Sequence, residues 1–572
     1  MENYRELYEL WLERADADAD LRQELLSVAE DDEAIRDRFW RSLEFGTGGL
    51  RGVIGAGTNR MNIYTVAQAT QGLADYLNAH FSEPSVAIGF DSRIKSDVFA
   101  KAAASTLAAN GIRVYMYADL KPTPMLSFAV RRLGCASGIV ITASHNPSKY
   151  NGYKCYDSRG YQMTDDAARE TLECIKKLDI FNDVKTMDFE DALAEDMVDF
   201  IEEWLEREYF DSVLKAQVEP DAVADSGLKI IYTPLNGTGN RPVRHIFKRM
   251  GLKDVMVVES QEKPDGSFPT CPFPNPEIRQ VFEEALKLTE AYKADLIIAT
   301  DPDADRVGIA VADEGEYKLM TGNEVACLLT DYILSRKKAQ GRLPERPVVV
   351  KTIVTSPLVK AISDEFSGEL YDLLTGFKYI GELITQLEER GEAERFVIGM
   401  EESYGYLSGT HVREKDAVVA AMLIAEMAAF YKKEGKNLYA RMQELYEKHG
   451  MYLNTLLNFN FEGADGMQKM LDMMSSLRQT APDSVGGLKV LSVADYLGRK
   501  KTDCATGTQS EISLPSSNVI GLELEGGSCV IVRPSGTEPK IKIYLTAHCA
   551  DRPRAEALTE SLAHDIEKIL GI

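Results

Sequence analysis

One recurring pattern limits the fold of this chain more than any other feature. A β-branched apolar run of strand length ends in a turn rich in glycine or aspartate, and a segment of helical period follows. That alternation is the mark of α/β layering. SVAIG (Ser85 to Gly89), IRVYMY (Ile112 to Tyr117) and GIVIT (Gly138 to Thr142) are predicted strands, with DVFAKAAASTLAANG as a crossover helix between the first two. A second set holds LKIIY (Leu228 to Tyr232), DVMVV (Asp254 to Val258) and DLIIAT (Asp295 to Thr300). A third holds PVVVKT (Pro347 to Thr352) and RFVIGM (Arg395 to Met400), then a long helical pattern from Lys415.

The C-terminal part reads differently. CVIVRPSGTEPKIKIYLTA predicts two strands about a turn, with a closing helix from Arg554, hence a small α+β domain. At 572 residues the chain exceeds what one core serves, and about 150 residues per domain suggests about four domains. We expect a helical extension over 1–40, α/β domains over 41–215, 216–325 and 326–450, and a final domain over 451–572.

Charge and composition exclude several classes of function. A net charge of -25 argues against nucleic acid or an anionic membrane as partner, since both require clustered lysine and arginine. No apolar run is long enough to span a bilayer and the first residues are acidic and amphipathic, so a cytoplasmic protein is expected. The eight cysteines lie far apart with no CxxC pair, which predicts reduced, buried thiols.

Four motifs carry chemistry. TASHNPSKYNGYK (142 to 154) follows the GIVIT strand, at the end where open α/β sheets place ligands. Its Asn146-Pro147 turn would expose the hydroxyl of Ser144, and His145 and Lys154 are candidate bases; a capping or turn role for Ser144 is the alternative. DPDADR (301 to 306) follows the DLIIAT strand. Aspartates at i, i+2 and i+4 of an extended segment would converge three hard oxygen ligands, which suits Mg²⁺. The same spacing also fits an aspartyl phosphotransferase with Asp301 as nucleophile.

GMEESYG (399 to 405) sets a carboxylate beside a hydroxyl, a pair suited to adjacent sugar hydroxyls, with a helix N-cap as the other reading. RPSGTEPK (533 to 540) offers Arg533, Ser535, Thr537, Lys540 and glycine-loop amides, the donors that recognise a phosphate. GTGGLRG (46 to 52) with Arg51 and TGFKYIG (375 to 381) with Lys378 add anion-binding groups to an acidic chain.

In this order, the motifs resemble the α-D-phosphohexomutase superfamily over nearly all the chain beyond residue 40. The resemblance implies a heart-shaped enzyme with three related mixed α/β domains and a smaller fourth α+β domain, each giving one motif to a central cleft. It implies Ser144 as the phosphoserine and Asp301, Asp303 and Asp305 as the ligands that, with a phosphoserine oxygen, hold Mg²⁺. Glu401 and Ser403 match sugar-hydroxyl readers, Arg533, Ser535, Gly536 and Thr537 the phosphate clamp, and Arg51, Arg306 and Lys378 basic residues of the cleft. Lys154 and His145 match the positions of proton transfer. A lysine beside Arg51 and a metal would have its pKa lowered, which favours Lys154 as the base.

Gly405 departs from the phosphomannomutase/phosphoglucomutase branch, which has histidine there, and the loops look like the glucose- and pentose-directed branches. The implied reaction interconverts glucose 1-phosphate and glucose 6-phosphate through a bisphosphate, with glucose 1,6-bisphosphate as activator. Phosphopentomutase and phosphomannomutase activities are the rivals, and the expected assembly is a monomer or homodimer. A phosphatase, or a sugar-phosphate sensor without catalysis, is the alternative of another class.

Overall fold

The computed structural model describes residues 4–46, 48–461, 465–535 and 540–572. They fall into two compact units: Met1–Thr321 with Ile380–Gly399 and Ser403–Asn437, and Gly322–Tyr379 with Met400–Glu402 and Leu438–Ile572. The architecture is three mixed α/β domains followed by a sheet-rich C-terminal α+β domain, as expected.

Two sheets organise the first unit. In one, the strand order is Gly49–Val53, Tyr150–Asp157, Ser137–Ile141, Ser85–Phe90, Arg113–Met116, Val198–Phe200. The three predicted strands lie together and parallel, with Val86 opposite Val114 and Ile88 opposite Ile139. Residues 86–90 and the strand Ser137–Ile141 are buried on both faces, as their apolar runs indicate, while Arg113 at the start of the other strand is exposed. The crossover helix runs Ser96–Ala109.

The first motif runs on into a further strand, Tyr150–Asp157. Its YNGYK half turns back antiparallel on Ser137–Ile141, with Lys154 opposite Val140. Glycine permits the approach: a Cβ on Gly152 would lie 2.4 Å from the Thr142 carbonyl oxygen.

The other sheet has the order Glu316–Met320, Val307–Asp313, Leu296–Thr300, Lys229–Thr233, Asp254–Val257. DPDADR is the turn between two of its antiparallel strands, Leu296–Thr300 and Val307–Asp313. The helix predicted from Lys415 begins two residues later, at Ala417, because Asp416 caps it by accepting from the amides of Val418 and Val419.

The N-terminal extension forms helices Tyr4–Arg14, Ala19–Ser27 and Asp32–Phe39. Trp11 is fully buried among Phe39, Tyr64 and Phe181, all edge-on to it. The extension therefore closes an apolar face of the first α/β domain.

In the second unit Val348–Thr352 pairs in parallel with Glu369–Leu373. The C-terminal sheet runs Met451–Asn460, Lys540–Cys549, Cys529–Pro534, Ile520–Leu524, Leu488–Asp495, Lys500–Asp503, Gln509–Glu511, with helices Asp465–Gln479 and Arg552–Leu570. That is far more sheet than the two strands read from sequence. Two of the extra strands, Lys500–Asp503 and Gln509–Glu511, are short and polar, with no apolar alternation to betray them.

Among the described residues, no helix is long and apolar enough to cross a membrane. The cysteines are free and mostly buried or half-buried, but Cys504 is exposed, against the expectation of burial.

Candidate active site

In the first unit the site begins where Ser137–Ile141 ends. Thr142 Oγ1 accepts the amide of Ser144 at 2.8 Å, and Ser144 takes a left-handed backbone, φ 50°, that non-glycine residues seldom adopt. Its hydroxyl, although the residue is only 3 % exposed, reaches outward from the strand end: Oγ donates to Asp301 Oδ2 at 2.9 Å and lies 3.1 Å from His145 Nδ1. The first two motifs, 157 positions apart, thus meet through one hydrogen bond.

Asp301, Asp303 and Asp305 converge, each offering an oxygen within 4.8 Å of the others, and all are buried. The means differs from the extended alternation expected. The segment curls, with Ala304 left-handed and its amide on the Asp301 carbonyl, and Asp301 Oδ1 accepts the amides of Asp305 and Arg306. Asp303 Oδ1 and Asp305 Oδ1 are buried and accept no hydrogen bond among the described residues, although the Arg306 guanidinium comes within 3.8 Å of Asp305 Oδ1. Buried carboxylate oxygens in that condition are costly unless a cation serves them, so the donor set fits Mg²⁺.

Burial and the surrounding charges move the carboxyls of Asp301 and Asp303 in opposite directions. Burial, reinforced by Asp303 and Asp305, raises Asp301 well above the usual carboxylate range. Asp303 goes the other way: burial opposes its charge, but the Lys154 ammonium at 2.9 Å and the Thr123 hydroxyl at 2.8 Å hold it below the usual range.

Lys154 feels its acidic neighbours most. Burial does act to lower it, but Asp303 and Asp305, at 2.9 and 3.7 Å, outweigh burial and raise it above the ordinary lysine value. His145 is lowered well below its ordinary value, first by burial and then by the charges of Arg306 and Arg51. With carboxylates as neighbours the charged form of the lysine is favoured, while burial and nearby cations favour the neutral form of the imidazole.

Three residues of this site escaped the sequence reading. Thr123 opens the helix Thr123–Leu133 and donates to Asp303. Lys415 Nζ lies 2.9 Å from Glu414 Oε1 and 3.3 Å from Asp305 Oδ2, while Glu414 Oε2 accepts the Tyr156 hydroxyl at 2.9 Å. The available signal was a Glu-Lys pair directly before a capped helix. It also accounts for Gly405: a Cβ there would lie 2.0 Å from Lys415 Cδ, so the lysine chain fills the space a side chain would need.

The remaining candidates divide between the units. Arg51 lies on the strand Gly49–Val53, and Arg306 pairs with Glu277 at 2.8 Å. Ser403 is half-buried in the first unit. In the second unit Glu401 Oε1 accepts the amide of Gly376 at 2.9 Å, which ties GMEESYG to the TGFKYIG loop. Glu401 ends the strand Phe396–Glu401 and no helix starts there, so the N-cap reading fails. The Lys378 ammonium sits 5.1 Å from the Tyr379 ring centroid. Arg533 lies opposite Lys542 in the hairpin, and the Ser535 amide donates to the Lys540 carbonyl. Gly536 and Thr537 lie outside the described residues.

The chain is similar to known proteins over most of its length. Models of phosphoglucomutase/phosphomannomutase alpha/beta/alpha domains I, II and III match residues 42–180, 207–315 and 321–449. A phosphoglucomutase of Staphylococcus aureus (strain MRSA252) is 36% identical over 544 residues, covering 95% of this chain and 96% of that protein. One from Staphylococcus haemolyticus (strain JCSC1435) is 36% identical over 510 residues, covering 89% and 91%. The crystal structure of a putative phosphomannomutase from Thermus thermophilus superposes with a TM-score of 0.67 at 23% identity, covering 92% of this chain and 99% of that one, a likeness of fold.

Proposed function

Because the chain belongs to the phosphoglucomutase/phosphomannomutase family of α-D-phosphohexomutases, we propose that it interconverts α-D-glucose 1-phosphate and glucose 6-phosphate by way of phosphorylated Ser144. One observation carries the mechanism: the Ser144 hydroxyl, on a left-handed residue at a strand end, points into the buried cluster of Asp301, Asp303 and Asp305.

The phosphoryl group passes from Ser144 Oγ to the free hydroxyl of a sugar monophosphate: the P–Oγ bond breaks, the P–O bond to the sugar forms, and the hydroxyl's proton ends on Oγ. A bisphosphate forms. It turns end for end and returns its other phosphoryl group to Ser144, so one serine serves both ends of the sugar. Such transfers ask for positioning and charge more than covalent work.

Asp301, Asp303 and Asp305, with a phosphoserine oxygen, would hold Mg²⁺, which when bound supplies positive charge to the transferring group. Lys154 adds a fixed charge at Asp303, and His145, neutral and beside Oγ, takes and returns the proton. Arg51, Arg306 and Lys378 attract the anionic substrate. Glu401 and Ser403 read sugar hydroxyls, and Arg533, Ser535, Gly536 and Thr537 clamp the phosphate that stays. Asp301 is a poor candidate for the nucleophile, because its two oxygens already accept the Ser144 hydroxyl and two backbone amides.

The test is a coupled assay with glucose, mannose and ribose 1-phosphates, each with its bisphosphate activator, together with peptide mass spectrometry of Ser144. The highest kcat/KM should fall to glucose 1-phosphate, and the phosphate should map to Ser144. A mannose or ribose preference overturns the substrate, and phosphate on Asp301 overturns the mechanism.

A further inference from the structure

We propose that Arg93, outside every motif described above, is a positioning residue of the phosphoryl transfer: it fixes the left-handed backbone from which Ser144 presents its hydroxyl. The inference rests on Ser144 being the phosphorylated residue.

One guanidinium gathers the whole phosphoserine loop. Arg93 Nη1 donates to the carbonyls of Pro147 and Tyr150, both at 3.0 Å, and Nη2 to those of Ser144, at 2.5 Å, and Asn146. Nε lies 3.4 Å from Asp91 Oδ2, and both side chains are wholly buried. A planar fork of donors can serve several carbonyls from one fixed position; an ammonium on a flexible stem cannot.

Asp91 works on the other side of the same residue. It accepts the Thr142 hydroxyl at 2.6 Å, and Thr142 Oγ1 in turn accepts the Ser144 amide. Ser144 is therefore held at its N–H through Thr142 and Asp91, and at its C=O by Arg93. Between Thr142 and Tyr150 it is also the one residue with positive φ among those described. The desolvation cost of a buried ion pair thus falls on the single conformation that aims the hydroxyl at Asp301.

The domain that holds the aspartates secures this clamp as well. Arg93 lies over the Phe268 ring, 5.1 Å from its centroid. A Cβ on Gly266 would lie 2.4 Å from the Ile94 amide nitrogen, so the loop around 266–268 rests on the backbone next to Arg93. One guanidinium thereby sits between the serine loop and the segment that follows the second sheet's outer strand Asp254–Val257.

The experiment compares the wild type with Arg93→Lys and Phe268→Leu. After loading with glucose 1,6-bisphosphate, it measures phosphate on Ser144, single-turnover transfer to glucose 1-phosphate, kcat, KM and thermal stability. For Arg93→Lys, transfer and kcat should both fall about 10- to 100-fold while KM stays within about threefold, because loop misplacement penalises the reacting geometry more than sugar binding. Phe268→Leu, which removes only the aromatic face, should lower kcat about three- to tenfold.

A folded Arg93→Lys enzyme with wild-type kcat, or one impaired only in KM, overturns the proposal. If Arg93→Lys does not fold, Phe268→Leu decides, and wild-type transfer in that variant is equally fatal. A wild-type enzyme that turns over without phosphate on Ser144 overturns the Ser144 assignment and the Arg93 role with it. Phosphorylated wild type beside an unimpaired Arg93→Lys overturns the Arg93 role alone.

Discussion

Asp303 shows how one residue can serve two opposite demands. Oδ2 takes the Lys154 ammonium and the Thr123 hydroxyl, while Oδ1, equally buried, hydrogen-bonds to no donor among the described residues. A cation that binds only the folded cluster stabilises it by mass action, about 2.7 kcal/mol at 100 times the dissociation constant. Adding Mg²⁺ should therefore raise the Tm of the wild type in calorimetry, and Asp303→Asn should remove most of that rise; an equal rise in both would place the metal elsewhere. His145 supplies a second prediction at this scale. Burial, then Arg306 and Arg51, lower its pKa well below 6.5, so the imidazole stays neutral as pH falls through 6.5 and protonates only below it. A base must be unprotonated to act, so the acid limb of the kcat/KM profile should lie below pH 6.5. An inflection at 6.5 or above that disappears in His145→Gln would contradict the assignment.

At the scale of elements, the strands declared themselves through local sequence, and each of the first two motifs sits at a strand end because β-branched apolar runs stop where the sheet does. What joins those ends is a set of glycines whose need is invisible locally. Gly152 lets one strand fold back on Thr142, and Gly405 leaves room for Lys415 to reach Asp305. A methyl group on Gly405 would collide with the middle of the lysine chain, which Glu414 anchors at its end and whose side chain is only 10% exposed. Such overpacking typically costs about 1–3 kcal/mol. Gly405→Ala should thus lower kcat about tenfold or more with a modest loss of Tm. Steady-state kinetics beside a melting curve checks this, and an unaltered kcat would show that the Lys415 contact with Asp305 is dispensable.

Across the whole molecule, the N-terminal helices answer a packing need of the first α/β domain. Trp11, Leu25, Ile35 and Phe39 are almost wholly buried and cover Ile63, Tyr64, Ile180 and Phe181. Deleting residues 1–40 should expose that aromatic patch and give an aggregating protein, read by light scattering and Tm; a soluble truncated chain of unchanged Tm would refute the role. The sequence by itself determined the α/β layering, the central strands of the α/β sheets, the convergence of the aspartate turn and the identity of Ser144, Glu401 and Arg533 as candidates. Strand period, turn chemistry and charge spacing are local properties, written within a few residues of one another. Tertiary structure alone decided that Lys154 is held as a cation, because its partner Asp303 stands 149 positions away. It alone brought in Thr123, Glu414, Lys415 and Arg93, whose neighbours in sequence signal a helix start or a strand end and nothing more. The physical reason is the same in each case: burial and an opposing charge set what an ionisable group does, and both come from segments that only folding brings together.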